Sequence, residues 1–413
     1  MKVVTNGSTT SPLGFTAVSH AAGIKKENQL DLAIVYSEHD CACAAVFTTS
    51  QVVAAPVIVD RETVASNPNG IRVVVTNSKN ANACTGEPGL ANSRATQAIT
   101  AEALGIEPNQ VLVMSTGVIG VQLPMDKLEA GLVTAVQNLQ RGDAEEQKVA
   151  GLTAAKAIMT TDTVPKHTAV SVELSGGTVM LGGMAKGAGM IHPNMATMLS
   201  VMTTDVQIEA GQLQEMLNTA VNLSFNRISI DGDTSTNDTV LLLANGASGI
   251  ALAHENDAQL FQEALNELCT ILAKKIVRDG EGATKFVEIQ VTGTHSDADA
   301  HQIANTIAIS PLVKTAFAGS DANWGRLVMA AGRAGVPFDQ AQMNLWIGIE
   351  AATELQLLAN GTPTNYLEAD AAHIFAQAEF MLRLQIGHGS GSSTVWTCDM
   401  THEYITINAD YRT

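Results

Sequence analysis

The sequence predicts a mixed α/β or α+β chain. Short Val- and Ile-rich runs end in turn-forming residues, helically spaced segments lie between them, and the composition suits a large buried core. At 413 residues the chain is long enough for two or three domains of roughly 150 residues each. Apolar residues make up 46% and charged ones only 15%, which excludes a mainly disordered chain. The net charge of −18 argues against a surface built for nucleic acid or anionic lipid.

In chain order, Leu32 to Tyr36, Ile71 to Val75 and Val111 to Met114 read as strands. Pro124 to Gln140 reads as a helix, with Pro at an N1-like position and Leu128, Leu132, Val133 and Val136 at helical spacing. Residues 255 to 277 follow a similar pattern. Further strands are predicted at Ala169 to Leu174, Thr178 to Leu181, Val240 to Leu243, Phe286 to Val291, Leu345 to Ile349, Met381 to Ile386 and Tyr404 to Asn408. No fixed-period repeat or Pro- or Ser-rich linker divides the chain. No apolar run reaches the ~18 residues needed to span a bilayer, and the first residues lack a signal-peptide core, so a cytoplasmic protein is expected. Five scattered cysteines without a CxxC pair read as buried thiols, not as a disulfide framework or zinc site.

The most unusual stretch is Gly182 to Thr204, rich in glycine and methionine around a polar centre. Gly187 and Gly189 permit positive φ or close approach, and His192-Pro193-Asn194 makes a turn that leads into Ala196-Thr197. On spacing alone this reads as a Gly-rich loop over a methionine-lined core. Ser115-Thr116-Gly117, after the strand ending at Met114, supplies a hydroxyl and a glycine and by itself reads as a strand-ending turn.

Lys186 to Leu199 resembles the self-cleavage segment of the ornithine acetyltransferase (glutamate N-acetyltransferase) family. Other blocks resemble the family in the same order: Asn80 to Gly86, Ser115 to Gly120, Met159 to Asp162, Ser229 to Asp238, Arg278 to Lys285, Asn323 to Arg326 and Ile407 to Thr413. The resemblance covers nearly the whole chain. Departures are Lys79, where glycine is common, Ala188 between two glycines, and Ala322, where proline is frequent. They bear on fine specificity and leave the reaction type alone.

The resemblance implies a layered sheet-and-helix fold with N-terminal-nucleophile chemistry, cut between Ala196 and Thr197 into segments 1–196 (alpha) and 197–413 (beta). Thr197 is then the catalytic nucleophile, and its freed α-amine, with an ordinary pKa of about 7.7 to 8.0, is the base. Thr116 and Gly117 form the oxyanion hole. Thr160, Lys186, Glu281, Asn408 and Thr413, with Thr197, bind substrate, and Thr161 is the neighbour most readily confused with Thr160. The substrates implied are N-acetylornithine and glutamate, the assembly is a heterotetramer of two alpha and two beta segments, and no metal or other cofactor is required. Members of the family differ in whether they also take acetyl from acetyl-CoA, and the sequence leaves that open.

Two rival readings remain: an N-terminal-nucleophile aminopeptidase or amidase with water as acceptor, and an uncleaved binding protein. Gly387 to Gly391 lacks phosphate-loop spacing and reads as a strand-joining turn. His295 to His301 matches no metal spacing, and Asp231-Gly232-Asp233 lacks the remaining positions of a calcium loop.

Overall fold

The computed structural model describes every residue except 27, 141, 193–197, 350–353 and 411–413. Two sheets organise the chain. From edge to edge, the first runs Lys2–Val3, Lys166–Leu174, Gly177–Lys186, Leu199–Thr204, Thr239–Ala244, Leu32–Phe47, Ile71–Asn77 and Val111–Ser115, with Phe15–His20 also paired to the long strand Leu32–Phe47. The second runs Thr362–Pro363, Leu355–Ala359, Asn344–Gly348, Glu379–Gln385, Phe286–Thr294, Gly391–Cys398 and Ile228–Ser229. The mixed class expected from the sequence is the class observed.

Apolar runs without alternation become interior strands because both faces are covered. Leu32 and Ile34 pack with Val73, Val75, Leu128 and Leu132 on one side. Ala33 and Val35 pack with Val74, Leu112 and Ala154 on the other. Toward the opposite edge, helices Ala210–Leu223 and Glu255–Arg278 bury Leu213, Leu217, Phe261, Leu265 and Leu272 against Val170, Leu181 and Leu242. The second sheet buries one face under helices Asp297–Ala308, Pro311–Ala318, Trp324–Gly332 and Glu368–Phe375, with Phe317, Phe375 and Phe380 in mutual ring contact.

Three expectations need correction. Tyr404 to Asn408 lies within helix His402–Asp410 and is not a strand. Its β-branched and aromatic residues favour strands, yet the helix stacks Tyr404 and Asn408 one turn apart, where both meet acidic partners described below. The helix expected from Pro124 spans Met125–Gln137, with Pro124 as its cap. Cys84 is exposed, whereas Cys41, Cys43, Cys269 and Cys398 are buried as expected.

A buried ion cluster joins the two sheets' connections. Lys166, 1% exposed, donates to Asp162 Oδ1 at 2.6 Å and to Asp279 Oδ2 at 2.5 Å. Asp279 caps helix Glu255–Arg278 and also accepts from the Thr163 amide and hydroxyl. Asp162 further accepts the Thr160 N–H at 3.0 Å and the Gly187 N–H at 2.7 Å. The cluster therefore holds the turn at 159–163, the end of strand Gly177–Lys186 and the helix C-terminus in one place. Burial by itself would raise the Asp162 carboxyl, but Lys166, Lys186 and the Gly187 N–H outweigh it and bring it down to about 2.

With a folded-state value below the unfolded 3.8, Asp162 contributes stability that is present above about pH 4 and lost as pH falls toward 2, on the order of 2 kcal/mol. Asp162→Asn is expected to lose about 3 kcal/mol at pH 7, because two buried lysines lose a counter-charge. Urea unfolding from pH 7 to pH 2 checks this: the gap to wild type should narrow between pH 4 and 2, and a constant gap would refute the ion-cluster account.

Candidate active site

A partly open cavity lies where the first sheet's strand ends meet the turn after helix Glu255–Arg278. Its lining includes Thr116, Gly117, Thr160, Thr161, Lys186, Gly189, Met190, Asn237, Glu281 and Asn408.

The wall at 116–117 is built by backbone conformation. Strand Val111–Ser115 runs into a crossing with Asn80, where the Thr116 N–H donates to Asn77 and the Val118 N–H to Lys79. Gly117 takes φ +135° between them, and a Cβ there would sit 2.1 Å from the Lys79 carbonyl carbon. Only glycine fits. The Gly117 N–H has no acceptor among the described residues, and the Thr116 hydroxyl faces the same cavity. An unused amide beside a hydroxyl is the donor arrangement that a developing oxyanion requires.

Lys186 ends strand Gly177–Lys186, opposite Leu199 in the antiparallel pair. It is 3% exposed, and its Nζ donates to Thr116 Oγ1 at 3.1 Å. Burial lowers its pKa, while the neighbouring Asp162 carboxylate pulls in the opposite direction. A buried cation held against Thr116 polarises that hydroxyl and favours negative charge beside it.

The opposite wall is acidic. Glu281 follows the helix C-terminus, its N–H donates to the Ala188 carbonyl at 2.7 Å, and its Oε2 accepts from Asn408 Nδ2 at 2.8 Å. A Cβ at position 189 would lie 2.4 Å from that carboxylate, so the glycine lets the loop pass against Glu281. Helix His402–Asp410 supplies Asn408 and, one turn earlier, Tyr404, whose hydroxyl donates to Asp231 Oδ2 at 3.3 Å. Burial and the Asp231 and Glu281 carboxylates raise the Tyr404 phenol well above its usual range.

The loop that joins strands Gly177–Lys186 and Leu199–Thr204 is anchored at both described ends. Asp231 accepts the Met190 and Ile191 amides at 2.5 and 2.9 Å, and Asp238 accepts the Met198 amide at 2.9 Å. Ala196, Thr197 and Thr413 lie outside the described residues.

Thr116, Gly117, Thr160, Lys186, Glu281 and Asn408, chosen from sequence, thus share one cavity. Sequence reasoning missed Asn237, whose amide donates to the Ala81 and Ser115 carbonyls at 2.7 and 2.9 Å and holds two walls together. It also missed Asp162 as the residue joining the Thr160 and Gly187 turns. The signal was a carboxylate four residues before Lys166, whose strand setting the spacing could not reveal. Asp231 works as a backbone anchor, as a broken calcium loop would. Among the described residues no group of three or more His, Cys, Asp or Glu could hold a metal, and no helix is long and apolar enough to cross a membrane.

Residues 16–413 match the ArgJ family. The arginine biosynthesis bifunctional protein ArgJ of Symbiobacterium thermophilum is 44% identical over 411 residues, covering 98% of this chain and 99% of its own. That of Chlorobaculum tepidum is 45% identical over 401 residues, with 97% and 96% covered. Among solved structures, the ornithine acetyltransferase of Mycobacterium tuberculosis, crystallised with ornithine, is 41% identical, covers 46% of this chain and 97% of its own, and aligns with a TM-score of 0.42. A match across nearly the full length, with relatives of almost equal extent, means that the chain belongs to the ArgJ family.

Proposed function

We propose that this member of the arginine-biosynthesis acetyltransferases cuts itself between Ala196 and Thr197 and then carries acetyl from N-acetylornithine to glutamate on Thr197. The supporting observation is a single cavity lined from both sides of that bond: Thr116, Gly117, Thr160 and Lys186 precede it, and Asn237, Glu281 and Asn408 follow it. A cleft that needs both segments is what an enzyme made by internal cleavage requires.

In the cleavage step Thr197 Oγ attacks the Ala196 carbonyl carbon, the C–N bond breaks, and water opens the resulting ester. The freed α-amine takes the Oγ proton when the hydroxyl attacks the acetyl carbonyl of N-acetylornithine. The tetrahedral oxyanion is stabilised by the Gly117 N–H and by the Thr116 hydroxyl that Lys186 holds. Ornithine leaves carrying the amine's proton. The glutamate amine then attacks the acetyl ester, giving N-acetylglutamate and restoring Thr197. Glu281, with Asn408 on its Oε2, suits the ammonium end of ornithine, and Lys186 and Thr160 suit an α-carboxylate. Each step uses only hydroxyl, amine and carbonyl groups, so no metal or nucleotide cofactor is required.

Strands Leu199–Thr204 and Thr239–Ala244 lie between Gly177–Lys186 and Leu32–Phe47 in one sheet, so the segments 1–196 and 197–413 would stay joined after the cut. Two such pairs would form the cytoplasmic heterotetramer.

Mass spectrometry of the purified protein is expected to give two fragments, and Thr197→Ala a single inactive chain near 43 kDa. Activity retained in that variant would remove Thr197 as nucleophile. Thr116→Ala should slow both cleavage and transfer by on the order of 10²-fold; rates equal to wild type would take Thr116 out of the site. Ornithine release from N-acetylornithine should rise steeply with added glutamate. Release indifferent to glutamate would point to an amidase instead.

A further inference from the structure

The two amino acids of the proposed reaction differ in the charge at their far ends. N-acetylornithine ends in an ammonium, for which Glu281 is suited, whereas glutamate ends in a second carboxylate, which the Glu281 carboxylate would repel. Lys186 is matched to the α-carboxylate that both carry. The acceptor's side chain therefore calls for a cationic place of its own.

A second cavity, of about 560 Å³, adjoins the catalytic one, and Thr160 lines both. Lys25, Lys26, Lys79 and Lys156 line it, four of only 23 basic residues in a chain of net charge −18. Asp162 is the one acid among the described lining residues. Its oxygens already accept from the Lys166 ammonium and from the Thr160 and Gly187 N–H groups. The described lining is thus cationic, and a cationic concavity attracts an anion.

Three separate parts of the chain bring these lysines together. Lys25 is half-buried, and its Nζ donates to the Leu30, Ala157 and Met159 carbonyls at 2.9, 3.3 and 2.8 Å, so it contributes charge from a fixed position. Burial draws its pKa down to about 8; the Asp31 and Asp162 carboxylates oppose this, and the Lys186 and Lys79 charges add to it. Lysines of the two cavities therefore repel one another, and an anion between them would relieve that repulsion. Lys79 takes φ +80°, a conformation rare for residues other than glycine. Its carbonyl accepts the Val118 N–H at 3.0 Å and backs Gly117, and the residue lines the lysine cavity as well. One residue thus joins the wall at 116–117 to the second cavity. Lys156, in the last turn of helix Ala144–Ala157, is exposed.

We infer that the lysine cavity is the subsite for the side-chain carboxylate of the acetyl acceptor; the inference rests on the transferase reading above. The ornithine ammonium is drawn to Glu281 and repelled by the lysines, and the acceptor's carboxylate experiences the reverse. The two half-reactions then use opposite sides of one cleft, with Thr160 at the junction. A neutral side chain of the same length, as in glutamine, gains nothing from either side, so the lysines select an acidic acceptor.

The experiment measures acetyl transfer from N-acetylornithine to glutamate or glutamine by wild type, Lys156→Gln, Lys156→Arg, Lys148→Gln and the double variant Lys79→Gln/Lys156→Gln. Lys156→Gln should raise the KM for glutamate about fivefold and the double variant more than about tenfold. In Lys156→Gln the KM for N-acetylornithine should move less than about twofold, and the preference for glutamate over glutamine should shrink. Lys156→Arg should restore the wild-type KM, and Lys148→Gln, on the same helix but paired with Glu145, should match wild type. An unchanged KM for glutamate in the double variant overturns the subsite, as does an equal rise in the KM of both substrates for Lys156→Gln. Inorganic phosphate is the probe for another oxyanion source. Inhibition competitive with glutamate and lost in the double variant supports the subsite; phosphate binding lost there while the KM for glutamate stays unchanged assigns the cavity to a phosphate-bearing ligand and overturns it. Wild-type ornithine release indifferent to glutamate would instead overturn the transferase reading itself.

Discussion

Two lysines buried beside one another govern how this chain is built. Lys166 and Lys186 lie on neighbouring antiparallel strands, and an ammonium removed from water is tolerated only where carboxylates or hydroxyls meet it. Asp162 faces both, Asp279 pairs with one, and Thr116 accepts from the other. Satisfying these two cations draws the turn at 159–163, the start of the loop after Lys186, the strand end at 115 and the C-terminus of helix Glu255–Arg278 into a single place. The cavity is the space those elements leave between them.

The same requirement gives the cavity its polarity. One wall carries the Lys186 ammonium and the Thr116 hydroxyl; the other carries Glu281 and Asn408, with Asp231 and Tyr404 behind. On the proposed function, a zwitterionic amino acid with a second charged end would meet a cation on one side and an anion on the other. The acyl carbon would then fall near the Gly117 amide, where only glycine's conformation is compatible with the Lys79 backbone. The polarity of the cavity and the placing of Thr116 and Gly117 therefore share a common cause in the pairing of buried charge.

Several parts of this arrangement were legible in the primary structure. The apolar runs at Leu32, Ile71, Val111 and Val240 became strands buried on both faces, where no alternation is needed. Thr116, Gly117, Lys186 and Glu281 could be chosen because they sit in short blocks whose order matches a known family. Tyr404 to Asn408 misled because local β-propensity is a weak preference and two side-chain contacts to acidic partners outweigh it. Asn237 and Asp162 escaped notice because their work is to bridge backbone from distant parts of the chain, and no spacing records that.

By itself, the sequence determined the mixed class, the positions of most strands, the family and the residue types available for acyl transfer. These follow from periodicity, composition and local motif, which act over a few neighbouring residues. Tertiary structure alone decided that residues as far apart as Thr116 and Asn408 line one cavity, that Lys186 bonds to Thr116, and that Asp162 joins the turn at Thr160 to Gly187. Those outcomes depend on which buried charges find partners and which do not, and that is settled only when the strands and turns have closed around them.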